Sequence, residues 1–135
     1  MGFINLIKKK VIITGTSSGL GLELAKKFLS EGNYVWGCSR SRSNISHKNY
    51  RHSTVDIEKV KQINKWANKL KKETTNKIDL IILNAAYYKR NLNFFDSDKD
   101  IIKTISINLI SSILIIKKIT QSMLKKNKGM IVFFF

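Results

Sequence analysis

The sequence predicts an α/β protein, a doubly wound parallel sheet with helices on both faces. Three observations carry this expectation. Short runs that are apolar without a polar alternation, such as Val11-Ile12-Ile13 and Leu80-Ile81-Ile82-Leu83, recur along the chain between amphipathic helical segments. Strands that are apolar on both sides belong in a sheet covered on both sides. Between the first such run and the first helical segment stands Thr14-Gly15-Thr16-Ser17-Ser18-Gly19-Leu20-Gly21, a glycine turn joining strand to helix. A length of 135 residues suits one domain over residues 1–135.

The elements follow in order. After the turn, Leu20, Leu24, Ala25, Phe28 and Leu29 lie at helical spacing, and Gly32-Asn33 supplies a C-terminal stop. Residues 34–38 read as a second strand, and a loop over 39–49 leads to a third at 50–55. Asp56 precedes a helix running to about Lys72, with Lys61, Lys65, Lys69 and Lys72 on one face and Ile63, Trp66 and Leu70 on another. Residues 79–83 form a compact apolar strand. Beyond Tyr87 the chain is polar and irregular until Asp98, where one long helix begins and runs to about Lys126. Gly129 ends the following turn, and residues 130–135 make a fifth strand. Right-handed crossovers then give the strand order 3-2-1-4-5, with ligand expected at the carboxyl ends of the strands where the winding reverses.

Composition narrows the function. A net charge of +16 invites a nucleic-acid reading. However, Lys far outnumbers Arg, Pro is absent, and Asn and Ile are abundant, as an AT-rich coding sequence produces regardless of function. No zinc-finger spacing, recognition-helix pair or aromatic–basic strip accompanies the charge, so no nucleic-acid partner is expected. His47 and His52 lack metal-ligand spacing and are read as solvent-facing, and no metal site is expected. Cys38 is the only cysteine, which rules out an internal disulfide and suits a cytoplasmic setting. Residues 1–10 do not have the order of a secretory signal, and the apolar segment 105–116 is shorter than the ~20 residues that span a bilayer. No membrane partner is expected.

The glycine turn carries the strongest chemical signal. Glycines let the backbone bend sharply and approach a pyrophosphate, while the helix start offers unpaired N–H groups and the positive end of its dipole. The spacing T-G-x-x-x-G-x-G in Thr14 to Gly21 resembles the short-chain dehydrogenase/reductase family, a Rossmann-like fold, and further motifs agree in order. Val55-Asp56-Ile57 resembles the Asp motif after the third strand, which in the family meets the adenine amino group. Leu83-Asn84-Ala85-Ala86 resembles the N-N-A-G turn, with Leu83 and Ala86 departing from it. Ile107-Asn108-Leu109 resembles the helix motif that carries the Asn of the catalytic tetrad, and Gly129 to Val132 resembles the start of the fifth strand. The resemblance implies cofactor contacts from Gly15, Thr16, Ser17, Ser18, Gly19, Leu20, Gly21, Ser39, Arg40, Asp56, Ile57, Asn84, Ala85 and Ala86, and a catalytic role for Asn108.

Ser39 and Arg40 stand where an NAD enzyme places an acid for the ribose 2′-hydroxyl; Arg pairs with a 2′-phosphate instead, which favours NADP(H). Arg42 is a second candidate. The family's Ser and Tyr-x-x-x-Lys follow the fifth strand. Here Tyr34, Tyr50, Tyr87 and Tyr88 are followed four positions on by Cys38, Thr54, Asn91 and Leu92. The expectation is therefore the N-terminal portion of an NADP(H)-dependent oxidoreductase of alcohols and carbonyls, truncated after the fifth strand and inactive alone. A non-catalytic nucleotide-binding remnant is the second reading. The resemblance also implies a homo-oligomer through the helix at residues 101–123. Two readings are open for Tyr87 and Tyr88, which follow the Asn84 turn: bordering the nicotinamide pocket, or packing alone, the favoured one. The bare apolar fifth strand leads to an expectation of poor solubility.

Overall fold

A computed structural model describes residues 7–88 and 97–134. In these, β1 (Lys10–Thr14), α1 (Gly19–Ser30), β2 (Tyr34–Ser39), β3 (Tyr50–Thr54), α2 (Val60–Glu73) and β4 (Leu80–Leu83) are followed by α3 (Asp98–Ile105), α4 (Ser111–Ile119), α5 (Gln121–Lys126) and β5 (Met130–Phe133). The strands are all parallel and stand in the order β3-β2-β1-β4-β5. The predicted topology is the observed one. Phe135 and the polar segment 89–96 lie outside the described residues.

The sheet is apolar on both faces because successive side chains of a strand point to opposite sides. Val11 and Ile13 of β1 join Ala25 and Leu29 of α1, with Val35, Leu80 and Ile82, in one core layer. Ile12 joins Ile63, Trp66 and Leu70 of α2 and Ile115 and Ile119 of α4, with Ile81 and Leu83, in the other. Ile12, Ile13, Ile63 and Ile81 are wholly shielded from solvent. Burying one such side chain stabilises the fold by about 1.5–3 kcal/mol. The register sets Val11 beside Val35 and Leu80, and Ile13 beside Gly37 and Ile82. A polar link reinforces the second layer: Trp36 Nε1 donates to Glu73 Oε2 at 3.0 Å, fastening β2 to the end of α2.

The β2–β3 connection contains no helix. Parallel neighbours normally need a crossover of a dozen or more residues, usually helical. Here residues 40–49 make the crossing, and Ile45 packs against the core layer on the α1 side. The loop is thereby held close to the glycine turn, where Ser43 Oγ donates to the Thr16 carbonyl at 3.0 Å.

The long helix expected from Asp98 to Lys126 is not continuous. A π-helical turn occupies Ser106–Ile110, and the chain breaks again at Thr120, which has φ −86° and ψ −3°. Hydroxyl groups account for this. Thr104, Ser111, Ser112 and Thr120 donate to the carbonyls of Asp100, Ile107, Asn108 and Ile116, each four residues back. Such back-bonding competes with the helical ladder and bends it. Asn127, with φ +47°, ends α5 in the left-handed conformation that Asn tolerates.

Candidate functional site

The carboxyl ends of the central strands open into a cavity of about 390 Å³. Gly15, Ser17, Ser18, Ser39, Arg40, Asp56, Ile57, Asn84, Ala85 and Ala86 line it, all residues singled out from the sequence. Cys38, Ser41, Val55, Tyr87 and Ile107 complete the lining. A volume of this size is in the range of small-ligand sites, and its place at the reversal of strand order is where open α/β sheets bind ligands.

The glycine turn is built by close approach. Gly15 adopts φ +79° and Gly19 φ +57°, conformations that glycine reaches without strain. Gly21 is needed for a different reason. A Cβ there would sit 2.2 Å from Gly15 O and 2.5 Å from Asn84 Nδ2, so the first turn of α1 lies directly against backbone. The turn is anchored to β2 by the Gly15 and Thr16 amides, which both donate to Cys38 O at 2.7 and 3.3 Å. Thr14 anchors it to the end of β4: its Oγ1 accepts from the amides of Asn84 and Ala85 at 3.0 and 2.9 Å, and Asn84 Nδ2 donates to Thr14 O at 3.2 Å.

The helix start that faces this turn is electrostatically open. Ser18 is the N-cap of α1, its side chain makes no capping bond, and no acidic residue stands in the first turn. The first amides of α1 therefore have no side-chain acceptor, while the dipole gives them a partial positive charge. Thr16, Gly19, Leu20 and Gly21 shape this turn without lining the cavity; Thr16 is fully buried and Leu20 is half exposed.

The remaining sequence-marked residues take distinct places. Arg40 is exposed at the cavity rim, just beyond Ser39, whose buried Oγ donates to Ser41 O at 2.8 Å. Asp56 caps its own turn, with Oδ1 accepting from the Glu58 amide at 3.1 Å and Oδ2 lying 3.6 Å from Lys59 Nζ. Ala86 is not among the residues with positive φ, so alanine stands in that turn without backbone strain. Asn108 lies in the π-helical turn, and its carboxamide clamps the backbone of Tyr87: Oδ1 accepts from Tyr87 N at 2.7 Å and Nδ2 donates to Tyr87 O at 3.0 Å. The Tyr87 ring, beneath Lys103 Nζ at 4.7 Å, borders the cavity, whereas Tyr88 is exposed. Arg42 is exposed and does not line it.

One reading from sequence is corrected. His47 is exposed, as expected, but His52 is half-buried and hydrogen bonded. Its Nδ1 lies 3.0 Å from the Tyr50 hydroxyl and its Nε2 lies 3.0 Å from Ser41 O. The Tyr50 hydroxyl in turn lies 2.9 Å from Thr16 Oγ1. Neither Tyr50 nor His52 was singled out from the sequence as a site residue. The available signal was their i, i+2 spacing at the start of a strand, which places both on one face. Burial of His52 disfavours its charged form and lowers its pKa; the Ser41 carbonyl opposes that shift and the charge of Lys69 adds to it. Burial raises the pKa of the Cys38 thiol far above its usual value, leaving it an inert core group.

Comparison with known proteins follows this geometry. Residues 9–134 match the family model for short chain dehydrogenase. A 3-oxoacyl-(acyl-carrier-protein) reductase, FabG, of Buchnera aphidicola subsp. Schizaphis graminum is 32% identical over 93% of this chain and 53% of its own. The solved structure of ElxO with NADP bound superposes with a TM-score of 0.81 at 25% identity, over 93% of this chain and 54% of that one. A short chain dehydrogenase from Leptospira borgpetersenii with bound NAD+ shares the fold, with a TM-score of 0.81 at 22% identity, over 92% of this chain and 50% of that one. The chain spans about half the length of the curated relatives it matches.

Two outcomes are expected. Gly21→Ala forces α1 away from Gly15 and Asn84 and destabilises the protein by roughly 1–3 kcal/mol, read as a lower denaturant midpoint. Gly19→Ala has open space around it and is strained only through its φ. The second outcome concerns pH. Because the folded pKa of His52 lies below the unfolded value of about 6.5, the unfolded chain binds the proton more readily. The His52 contribution is therefore complete above pH ~6.5 and is lost as the pH falls from there through the folded pKa. Melting curves across pH 5–8 should show a shallower acid decline in His52→Gln than in the wild type.

Proposed function

The chain belongs to the short-chain dehydrogenase/reductase family, and from that premise we propose that residues 9–134 hold the dinucleotide of an NADP(H)-dependent oxidoreductase acting on an alcohol or carbonyl substrate. The observation that carries this reading is the uncapped, acid-free start of α1 opening onto the cavity beside Gly15, Ser17 and Ser18. These residues fit a pyrophosphate, which would accept from the first amides of α1 while Gly21 lets the helix approach. Asp56 and Ile57 would receive the adenine, and Asn84, Ala85 and Ala86 would line the path toward the nicotinamide. When bound, the nicotinamide supplies or takes up the hydride.

Charge supports the NADP(H) preference. Arg40 stands exposed at the rim with no acid beside it in the chain, so a 2′-phosphate meets a guanidinium rather than a repelling carboxylate. Asn108 is proposed to act by holding the Tyr87 backbone at the inner end of the cavity. No Tyr of residues 1–135 has a Lys four positions on, so cofactor binding is the property to measure on these residues, and turnover belongs to a form that also carries those groups.

A second copy of the chain is the proposed partner. Ile101, Ile102, Ile105, Leu109 and Ile113 expose between 45 and 63% of their surface along α3, the π-helical turn and α4, a stripe of apolar surface that self-association would cover. Among the described residues no helix is long and apolar enough to cross a membrane.

Fluorescence titration of the purified chain tests the cofactor reading. NADPH is expected to bind more tightly than NADH, and Arg40→Ala should lose about ten- to hundredfold of NADPH affinity while leaving NADH affinity unchanged. Equal effects on the two cofactors would remove Arg40 from the 2′-phosphate. For the partner, sedimentation of an Ile102→Lys, Ile105→Lys variant is expected to shift toward the monomer relative to the wild type; a wild type already monomeric would exclude self-association.

A further inference from the structure

Tyr50 and His52 have no place in the dinucleotide contacts proposed above, yet they sit where the glycine turn meets the loop after β2. Tyr50 is the first residue of the edge strand β3 and is only 7% exposed. Its ring lies in the α1-side core layer, and its hydroxyl emerges at Thr16 in the middle of the glycine turn. It reaches that point because the intervening strand β2 carries glycine there. A Cβ on Gly37 would sit 2.4 Å from Thr16 Oγ1 and 2.5 Å from the Tyr50 hydroxyl, so the space of a side chain on β2 is taken up by a hydrogen bond between its neighbours. Strand alternation puts His52 on the same face, 3.0 Å from the Tyr50 hydroxyl, and its other nitrogen meets Ser41 O beside Arg40.

We propose that Tyr50 is a positioning residue of the dinucleotide site, and that with His52 it couples the glycine turn to the loop carrying Arg40. The chain of contacts Thr16–Tyr50–His52–Ser41 runs from the proposed pyrophosphate end to the proposed 2′-phosphate end. The Ser43 hydroxyl, donating to Thr16 O, closes the same connection from the other side. Thr16 is wholly buried, so its hydroxyl cannot turn to water for a substitute partner. Loss of the Tyr50 hydroxyl therefore leaves the Ser43 hydrogen bond to hold the turn and the loop together. This inference rests on the dinucleotide reading for its consequence in binding, but not for the coupling itself.

Two measurements on the full chain separate these. In the unliganded protein, amide hydrogen exchange is read at Gly15 and Thr16, whose amides donate to Cys38 O, and over residues 40–43. Tyr50→Phe, which keeps the ring and removes only the hydroxyl, is expected to speed exchange at both places by about tenfold, with the β4–β5 amides unchanged. His52→Gln is expected to act on residues 40–43 more than on the turn. Unchanged exchange at the turn in Tyr50→Phe, or a uniform rise across the sheet, would overturn the proposal. The second measurement titrates NADPH and NADH. Tyr50→Phe should weaken both by a similar factor, about tenfold, in contrast to the NADPH-selective loss expected of Arg40→Ala. Wild-type affinity for both cofactors in Tyr50→Phe would refute the positioning role. A wild type that binds neither cofactor would refute the dinucleotide reading, and the exchange result would still decide the coupling.

Discussion

The molecule is organised around a place where backbone meets backbone with no side chain between. Gly15 and Gly21 lie so close that a single methyl group on Gly21 would stand 2.2 Å from the Gly15 carbonyl, and Asn84 at the end of β4 closes over both. This contact sets the angle at which α1 leaves the sheet. It also aims the start of α1 at the carboxyl ends of β1 and β4. The partial positive charge at that helix end is a property of any helix, but here no capping side chain or acid offsets it. The cavity, its electrostatics and its position in the fold all descend from the same absence of Cβ atoms.

Two carboxamides then tie distant segments to this centre. Asn84 joins the end of β4 to β1 through Thr14, and Asn108 joins the π-helical turn to the backbone of Tyr87. Asn108 uses its oxygen as acceptor and its nitrogen as donor toward one residue, a pairing that an ionised aspartate, which only accepts, does not make. The bends in the α3–α5 region serve the same geometry. Serine and threonine hydroxyls take over carbonyls of the helical ladder, and the widened turn that results carries Asn108.

Much of this was legible in the chain. The doubly wound sheet could be read because Val11-Ile12-Ile13 and Leu80 to Leu83 are apolar on both faces, and the close approach of α1 to the end of β1 because glycine spacing reports directly on backbone approach. Ten of the residues marked for the cofactor line the cavity. The parts that escaped depend on partners remote in sequence. His52 looks like any polar strand residue until β3 is laid beside β2 and its ring meets Ser41 and Tyr50. Gly37 looks like a weak point in a strand, and its purpose is visible only once Thr16 and Tyr50 are seen to share its vacant side-chain space. The helix breaks were hidden for another reason. A serine or threonine within a helical stretch reads the same whether its hydroxyl faces water or bends the ladder behind it.

The central position of β1 also bears on how the chain is made. Its neighbour β2 follows closely in sequence, but the strand on its other edge, β4, pairs Val11 with Leu80 and Ile13 with Ile82. During synthesis from the N-terminus, at roughly 5–20 residues per second, the β4-facing edge of β1 stays bare for several seconds after its first partner has docked. The strand left waiting has the apolar centre Val11-Ile12-Ile13, and its open hydrogen-bonding edge can recruit another nascent chain. The lysine-studded face of α2 is translated within that interval, so like-charge repulsion between nascent chains comes into being while β1 still lacks its second neighbour.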